Sequence, residues 1–287
     1  MLKAAIERLM RKSARMLEQW SARPDERSSD TGPCDSMAAQ YTLNPLFASI
    51  ARDHSHPYVW PSVQAAKLAK HLGLELISFI EFGVAGGNGL VKLEGIARRL
   101  EDYFKINIQV YGFDTGKGLP RPADYRDAPN LWSEGDFHMD VEKLRSRLTK
   151  AQLMLGLVDE TVPSFLERNP APVAFISFDL DYYSSTTQAF RLFDAEHRFL
   201  LPRVHCYFDD IMGYTHCDFN GERLAITEFN AAHPLRKLSP IYGIRYYVPK
   251  RFADHMWEKY YMLHIFDHSM YACNDGNVMV NWVALQT

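Results

Sequence analysis

Short apolar runs alternate with amphipathic stretches along the middle of the chain. LELISFIEF (74–82), INIQVYGFDT (106–115), QLMLGLV (152–158), PVAFISFD (172–179) and VHCYFDD (204–210) are nearly continuous in apolar residues, the pattern of strands buried on both faces. Between or beside them, SVQAAKLAKHL, GLVKLEGIARRLEDYF, DVEKLRSRL, a stretch started by Thr161 with Pro163 behind it, SSTTQAFRLFDAEHRFL and NGERLAITEFNAAH place apolar residues at helical spacing. Strands and helices taking turns predict an α/β fold, a doubly wound, mostly parallel sheet covered on both faces. Past residue 235 the pattern changes. IYGIRYYVP and NVMVNWVAL flank an aromatic helix over RFADHMWEKYYMLHIF and supply a closing antiparallel C-terminal hairpin, bringing the sheet to seven strands.

The N-terminus is different in kind. Leu2, Ile6, Leu9, Met10, Met16, Leu17 and Trp20 gather near one face of a predicted helix, with Lys3, Arg8, Arg11, Lys12 and Arg15 mostly elsewhere. A basic amphipathic helix serves a membrane surface or packs on protein. Glu7 and Glu18 dilute its charge and favour packing against its own or a sister subunit, which would make a homo-oligomer. SARPDERSSDTGPCDS (21–36) has linker composition. The expected organisation is an N-terminal helix and linker over 1–36 and one folded domain over 37–287.

Composition narrows the partners. Lys plus Arg is 32 against 35 Asp plus Glu, a net charge of −3, too balanced for binding a phosphate backbone by charge, so nucleic acid is not expected as a partner. Hydrophobic residues make 47% and charged residues 23%, ordinary for a chain with a sizeable core. No apolar run is long enough for an integral membrane segment, and the N-terminal charges do not precede an apolar block as in a secretory signal. A cytoplasmic location is expected. The four cysteines form no C-x-x-C pair, so reduced thiols rather than a zinc site or a disulfide framework are the expectation.

In an open α/β sheet, ligands collect beyond the carboxyl ends of the strands. There the first run ends in IEFGVAGGNG, with Glu81, Gly83 and Gly87, and glycines at that place let backbone amides approach a ligand. The second run ends in Asp114, where a carboxylate accepts hydrogen bonds from ribose hydroxyls. The glycine spacing departs from G-x-G-x-x-G, which favours an adenosine cofactor over a dinucleotide. Asp179 and Asp181 follow the run at 172–179, and Asp209 and Asp210 close the run at 204–210. If those strands are neighbours, about 4.8 Å apart, up to four carboxylates meet at one rim. Crowded like charges call for a cation, and oxygen-only ligation suits Mg2+, Ca2+ or Mn2+. The plainer alternative is acids capping strand-to-helix turns.

Taken in order, IEFGVAGGNG, FDTGKGLP, FDLDYYSST, FDD and GERLAITEF, within residues 60–232, resemble the class I S-adenosyl-L-methionine (SAM) dependent methyltransferases, and among them the macrocin O-methyltransferase group that acts on macrolide sugars. The resemblance implies a Rossmann-like fold. It also implies that Glu81, Gly83 and Gly87 line the methionine part of SAM, that Asp114 holds the ribose, and that Asp179 or Asp181 joins Asp209 and Asp210 around Mg2+ or Mn2+. Three features depart from the group: Ile211 follows the Asp-Asp pair where an aromatic is usual, the 243–287 segment matches nothing in it, and its histidine base has no secure counterpart. His138, in the loop after the ribose strand, and His216, after the aspartate pair, are the candidates for a general base. Tyr58, Val59 and Trp60 either close over the cofactor or belong to the core.

The expected activity is a metal-assisted O-methyl transfer to a small-molecule acceptor with a hydroxyl group, a sugar or glycoside fitting best. The alternatives are a nicotinamide-dependent oxidoreductase and a non-catalytic binding module on a cofactor fold.

Overall fold

A computed structural model describes residues 57–244 and 256–273. The N-terminal helix and linker expected over 1–36 lie outside these residues. Seven strands form one sheet in the order β3-β2-β1-β4-β5-β7-β6. They are β1 (Leu76–Phe82), β2 (Asn107–Asp114), β3 (Gln152–Leu155), β4 (Val173–Phe178), β5 (Leu200–Phe208), β6 (Arg236–Pro240) and β7 (Tyr260–Ile265). All pairings among the first five are parallel, and β7 runs antiparallel between β5 and β6. The helices are α1 (Val59–His71), α2 (Asn88–Phe104), α3 (Val141–Arg147), α4 (Val158–Glu167), α5 (Tyr183–Ala189) and α6 (Gly221–Ala232). Among the described residues no helix is long and apolar enough to cross a membrane.

β1 and β4 form the middle of the sheet, and their composition follows from burial on both faces. β4 is buried at every position, and β1 at every position after Leu76. Phenylalanines make one continuous layer near the strand ends. Phe113 lies 4.7 Å from Phe82, Phe82 stacks on Phe178 at 5.5 Å, and Phe178 stacks on Phe208 at 4.6 Å, with all four rings fully buried. Offset-stacked rings at these distances add about 0.5–1.5 kcal/mol per pair beyond area burial. Tyr58 and Val59 belong to this core, and Trp60 packs against it.

Three elements differ from the sequence expectation. The hairpin is present, but its strands are β6 and β7: YYMLHI, expected as the end of an aromatic helix, is a strand, and IYGIRYYVP follows β6 rather than forming it. NVMVNWVAL lies outside the described residues. An unbroken apolar run carries no period, so helix and strand are indistinguishable there. α4 begins at Val158, not at Thr161, whose hydroxyl donates back to the Leu157 carbonyl inside the first turn. The helix expected over SSTTQAFRLFDAEHRFL stops at Ala189 and gives way to 3-10 turns at Phe190–Asp194 and His197–Phe199, the first turning Phe190 and Phe193 inward onto Phe178 and Phe229.

Candidate active site

The phenylalanine layer sets the level of the site. Phe82 is in register with Phe113 and Phe178, and Phe178 with Phe208, so the next residues, Gly83, Asp114, Asp179 and Asp209, meet at one rim. Backbone pairing runs one step further: Gly83 donates to the Phe113 carbonyl, Asp179 to Phe82 and Asp209 to Phe178, each at 2.9 Å. At Gly83 the chain turns away with φ +80°, and a Cβ there would sit 1.7 Å from the Asp179 carbonyl oxygen. Only glycine fits. Above the rim lies a cavity of about 530 Å3 bordered by Gly83, Asp114, Asp179, Asp181, Asp209 and Asp210.

The loop between β2 and α3 supplies the opposite wall, with Trp132 and Phe137 facing the cavity in edge-to-face contact at 5.4 Å. Fully buried Asp127 ties this loop to α5. Its carboxylate accepts from the backbone N–H groups of Ala123 (2.7 Å) and Ser184 (2.8 Å) and from the Ser184 hydroxyl (2.9 Å).

At the glycine end, Asp114 Oδ2 accepts from Val84 N and Ala85 N, both at 2.9 Å, and Oδ1 from Gly116 N at 2.6 Å. A carboxylate has about four acceptor positions. Three are used to knit the turn after β1 to the turn after β2, which leaves one on Oδ1 for a ligand hydroxyl rather than two for a pair. Glu81 lies beneath the turn, buried, with Oε1 accepting from the Tyr58 hydroxyl at 3.0 Å. Burial pushes its carboxyl up to about 8, and Oε2 is buried with no hydrogen-bond partner in the described residues. Glu81 does not reach the cavity wall. Gly87, at the start of α2, is also off the wall: its φ is +78° and a Cβ would strike Leu144 of α3, so it serves close helix packing. The opened glycine turn and the free acceptor position on Asp114 suit the ribose of an adenosyl cofactor.

At the other end, Asp179, Asp209 and Asp210 each bring an oxygen within 4.8 Å of the others. β5 stops at Phe208, so the adjacent pair no longer points to opposite faces as strand neighbours do. Asp181 borders the same cavity outside that set of three, in a left-handed conformation (φ +60°). Burial and mutual repulsion push Asp179 up to about 9, Asp181 to about 8 and Asp210 to about 6. Ionised together they are unfavourable, and a hard divalent ion removes that cost. The oxygen-only donor set fits Mg2+ or Mn2+.

Three partners of this cluster escaped the sequence reading. Lys259, just before β7, donates to Asp209 Oδ1 at 2.9 Å, and the Tyr207 hydroxyl donates to the same oxygen. Glu222, in the first turn of α6, accepts from Asp210 N at 3.0 Å. Tyr207 was findable, since it stands two residues before Asp209 on the same strand face. Lys259 comes from the hairpin read as a helix, and Glu222 looks like an ordinary acid at a helix start.

The structure does not bring the histidines to the site. His138 is exposed, and only its neighbour Phe137 reaches the cavity. The half-buried His216 ring lies against Gly213 outside the cavity, and burial lowers its pKa. Among the described residues no histidine lines the wall.

No protein-family model matches the chain, and no curated protein matches it by sequence. Solved structures do. The calicheamicin methyltransferase CalS11 is similar at 20% identity and a TM-score of 0.52, over 85% of this chain and 99% of that one. An apo structure of CalS11, described as a TDP-rhamnose 3'-O-methyltransferase, matches at 19% identity and a TM-score of 0.42 over 90% and 94%. The mycinamycin-pathway methyltransferase MycE, in complex with Mg, SAH and mycinamycin VI, matches at 14% identity and 0.38 over 84% and 57%. The strand order, the antiparallel β5-β7-β6 hairpin and the CalS11 likeness together show that this chain has the Rossmann-like fold of class I SAM-dependent methyltransferases.

Proposed function

We propose that the protein transfers the methyl group of SAM to a hydroxyl of a small-molecule acceptor, a sugar or glycoside, with a divalent ion held by Asp179, Asp209 and Asp210. One observation carries this: a single cavity has a glycine turn with a ribose-type acceptor at one end and a three-carboxylate cluster at the other. The sugar class is supported by the resemblance of the FDTGKGLP, FDLDYYSST and FDD blocks to the group that acts on macrolide sugars, and the calicheamicin methyltransferase CalS11 shares the fold.

Gly83 and the turn after it admit SAM against the backbone, and Asp114 Oδ1 accepts one ribose hydroxyl. Asp179, Asp209 and Asp210 would hold the ion at the other end of the cavity from the Asp114 acceptor. A divalent ion at these three would orient the acceptor oxygen and lower its pKa. That oxygen forms a bond to the methyl carbon, the carbon–sulfur bond breaks, and its electron pair returns to sulfur to leave neutral SAH. The hydroxyl proton passes to a wall carboxylate, and Asp181, which borders the cavity outside the set of three and would be ionised once a divalent cation offsets Asp209 and Asp210, is the candidate to take it. Trp132 and Phe137 close the wall and keep water from the methyl, and positioning supplies much of the rate.

The test is titration of the purified protein with SAM, SAH and NAD, followed by incubation with SAM and a panel of nucleotide sugars and glycosides, read by mass spectrometry. SAM and SAH binding with methylation of a panel member is expected. Binding of NAD in place of SAM would overturn the proposal.

A further inference from the structure

Glu222 is an unusual acid for a helix start. An acid in the first turn normally faces water, where it meets the helix dipole or the free amides of its own helix. Glu222 is fully buried on the inner face of α6, beside Ala225, Ile226 and Phe229. Its Oε2 accepts from the backbone N–H of Asp210 on another element, and Oε1 is buried with no hydrogen-bond partner in the described residues. Leaving one carboxyl oxygen so placed costs stability. The return lies one step further on. Asp210 Oδ2 accepts from Asp181 N at 3.1 Å, and Asp181 holds the left-handed conformation that a non-glycine residue adopts at a cost. A chain of hydrogen bonds thus runs from α6 through both the backbone and the side chain of Asp210 to the turn after β4.

We infer that Glu222 is a positioning residue for the divalent-ion site: by accepting the Asp210 N–H it sets the turn at the end of β5 that brings Asp210 beside Asp179 and Asp209. The inference rests on the ion site proposed above. Glu222 touches neither cavity nor acceptor and acts only through Asp210. What it contributes is an acceptor at the right reach, which glutamine keeps, methionine lacks and aspartate withdraws by one methylene.

Mn2+ binding by the full-length protein, followed by the electron paramagnetic resonance of the free ion below the melting range, tests this without any acceptor. Glu222→Gln is expected to bind Mn2+ within about threefold of the wild type, whereas Glu222→Met weakens it by about 10–100-fold, the range for losing a residue that orients a metal ligand. SAM affinity, measured in parallel, stays within about threefold in both, since Asp114 and the glycine turn are untouched. A folded Glu222→Met protein that binds Mn2+ like the wild type would overturn the assignment, as would Glu222→Gln failing as badly as Met. Should the Met variant not fold, Glu222→Asp decides: weakened Mn2+ binding supports the role and wild-type affinity overturns it. A wild-type protein that binds no Mn2+ would overturn this inference together with the ion site, whereas wild-type binding with an unaffected Met variant removes this inference alone.

Discussion

Asp114→Asn changes one atom and strikes two functions at once. In the wild type Oδ2 takes the amides of Val84 and Ala85, and Oδ1 takes that of Gly116, with one acceptor position to spare. The asparagine has a single carbonyl oxygen. Turned toward Val84 and Ala85, it keeps both of those bonds but sets its NH2 against the Gly116 N–H and has nothing left for a ribose hydroxyl. Turned the other way, it abandons two amides. The first orientation loses less, so the expected costs are one orphaned N–H, about 1–3 kcal/mol of stability, and one charge-assisted bond to the cofactor, about 1.5–3 kcal/mol. The latter corresponds to about 10–150-fold weaker SAM binding. Calorimetric titration with SAM, paired with a thermal melt, separates the two losses. A folded variant with SAM affinity within about twofold of the wild type would remove Asp114 from the cofactor site, whatever its melting temperature.

Gly83→Ala places a Cβ at 1.7 Å from the Asp179 carbonyl and forces φ +80° on a side chain; a loss of about 3 kcal/mol or more in urea unfolding is expected, and a neutral effect would refute the close approach of the β1 and β4 ends. Lys259→Met leaves Asp209 without its cation and, the pair being partly exposed, should cost about 1 kcal/mol in chemical denaturation. Mg2+ should then raise the melting temperature of that variant more than that of the wild type, and an equal rise would contradict competition between ammonium and metal. The pH dependence has a fixed sign. Asp179 and Asp181 have folded pKa values near 9 and 8, above their unfolded value, so the folded state binds more protons between about pH 4 and 9 and stability falls as pH rises through that window. Melts in EDTA should show this fall and melts in Mg2+ should flatten it; identical slopes would mean that the ion does not bind these carboxylates.

What sequence reading reaches here is set by range along the chain. The strand ends were legible because a local pattern, an apolar run closing on phenylalanine and then an acid or glycine, recurs at Phe82, Phe113, Phe178 and Phe208, and a parallel sheet turns that recurrence into one rim. Which of Asp179 and Asp181 stands close to Asp209 and Asp210 was not legible, because it depends on a left-handed residue three positions past the strand. Nor was the grip of Asp114 Oδ2 on the amides of Val84 and Ala85, which belong to a turn about 30 residues upstream. Lys259 was hidden by an apolar run without a period, which reads equally well as helix or strand until β5 and β6 claim it from both sides. His138 and His216 show the opposite case, since neither lines the described cavity. Both stand in the right loops, but a loop address does not say which way a side chain faces.

The most direct test is the rate of SAH release with an identified acceptor in EDTA and after Mg2+ or Mn2+ is restored, in the wild type and in a protein carrying Asp209→Asn and Asp210→Asn. The wild type is expected to lose turnover in EDTA and regain it with the ion, while the double variant stays slow with either ion and still binds SAM. Full turnover in EDTA, or a double variant as fast as the wild type, would contradict metal assistance.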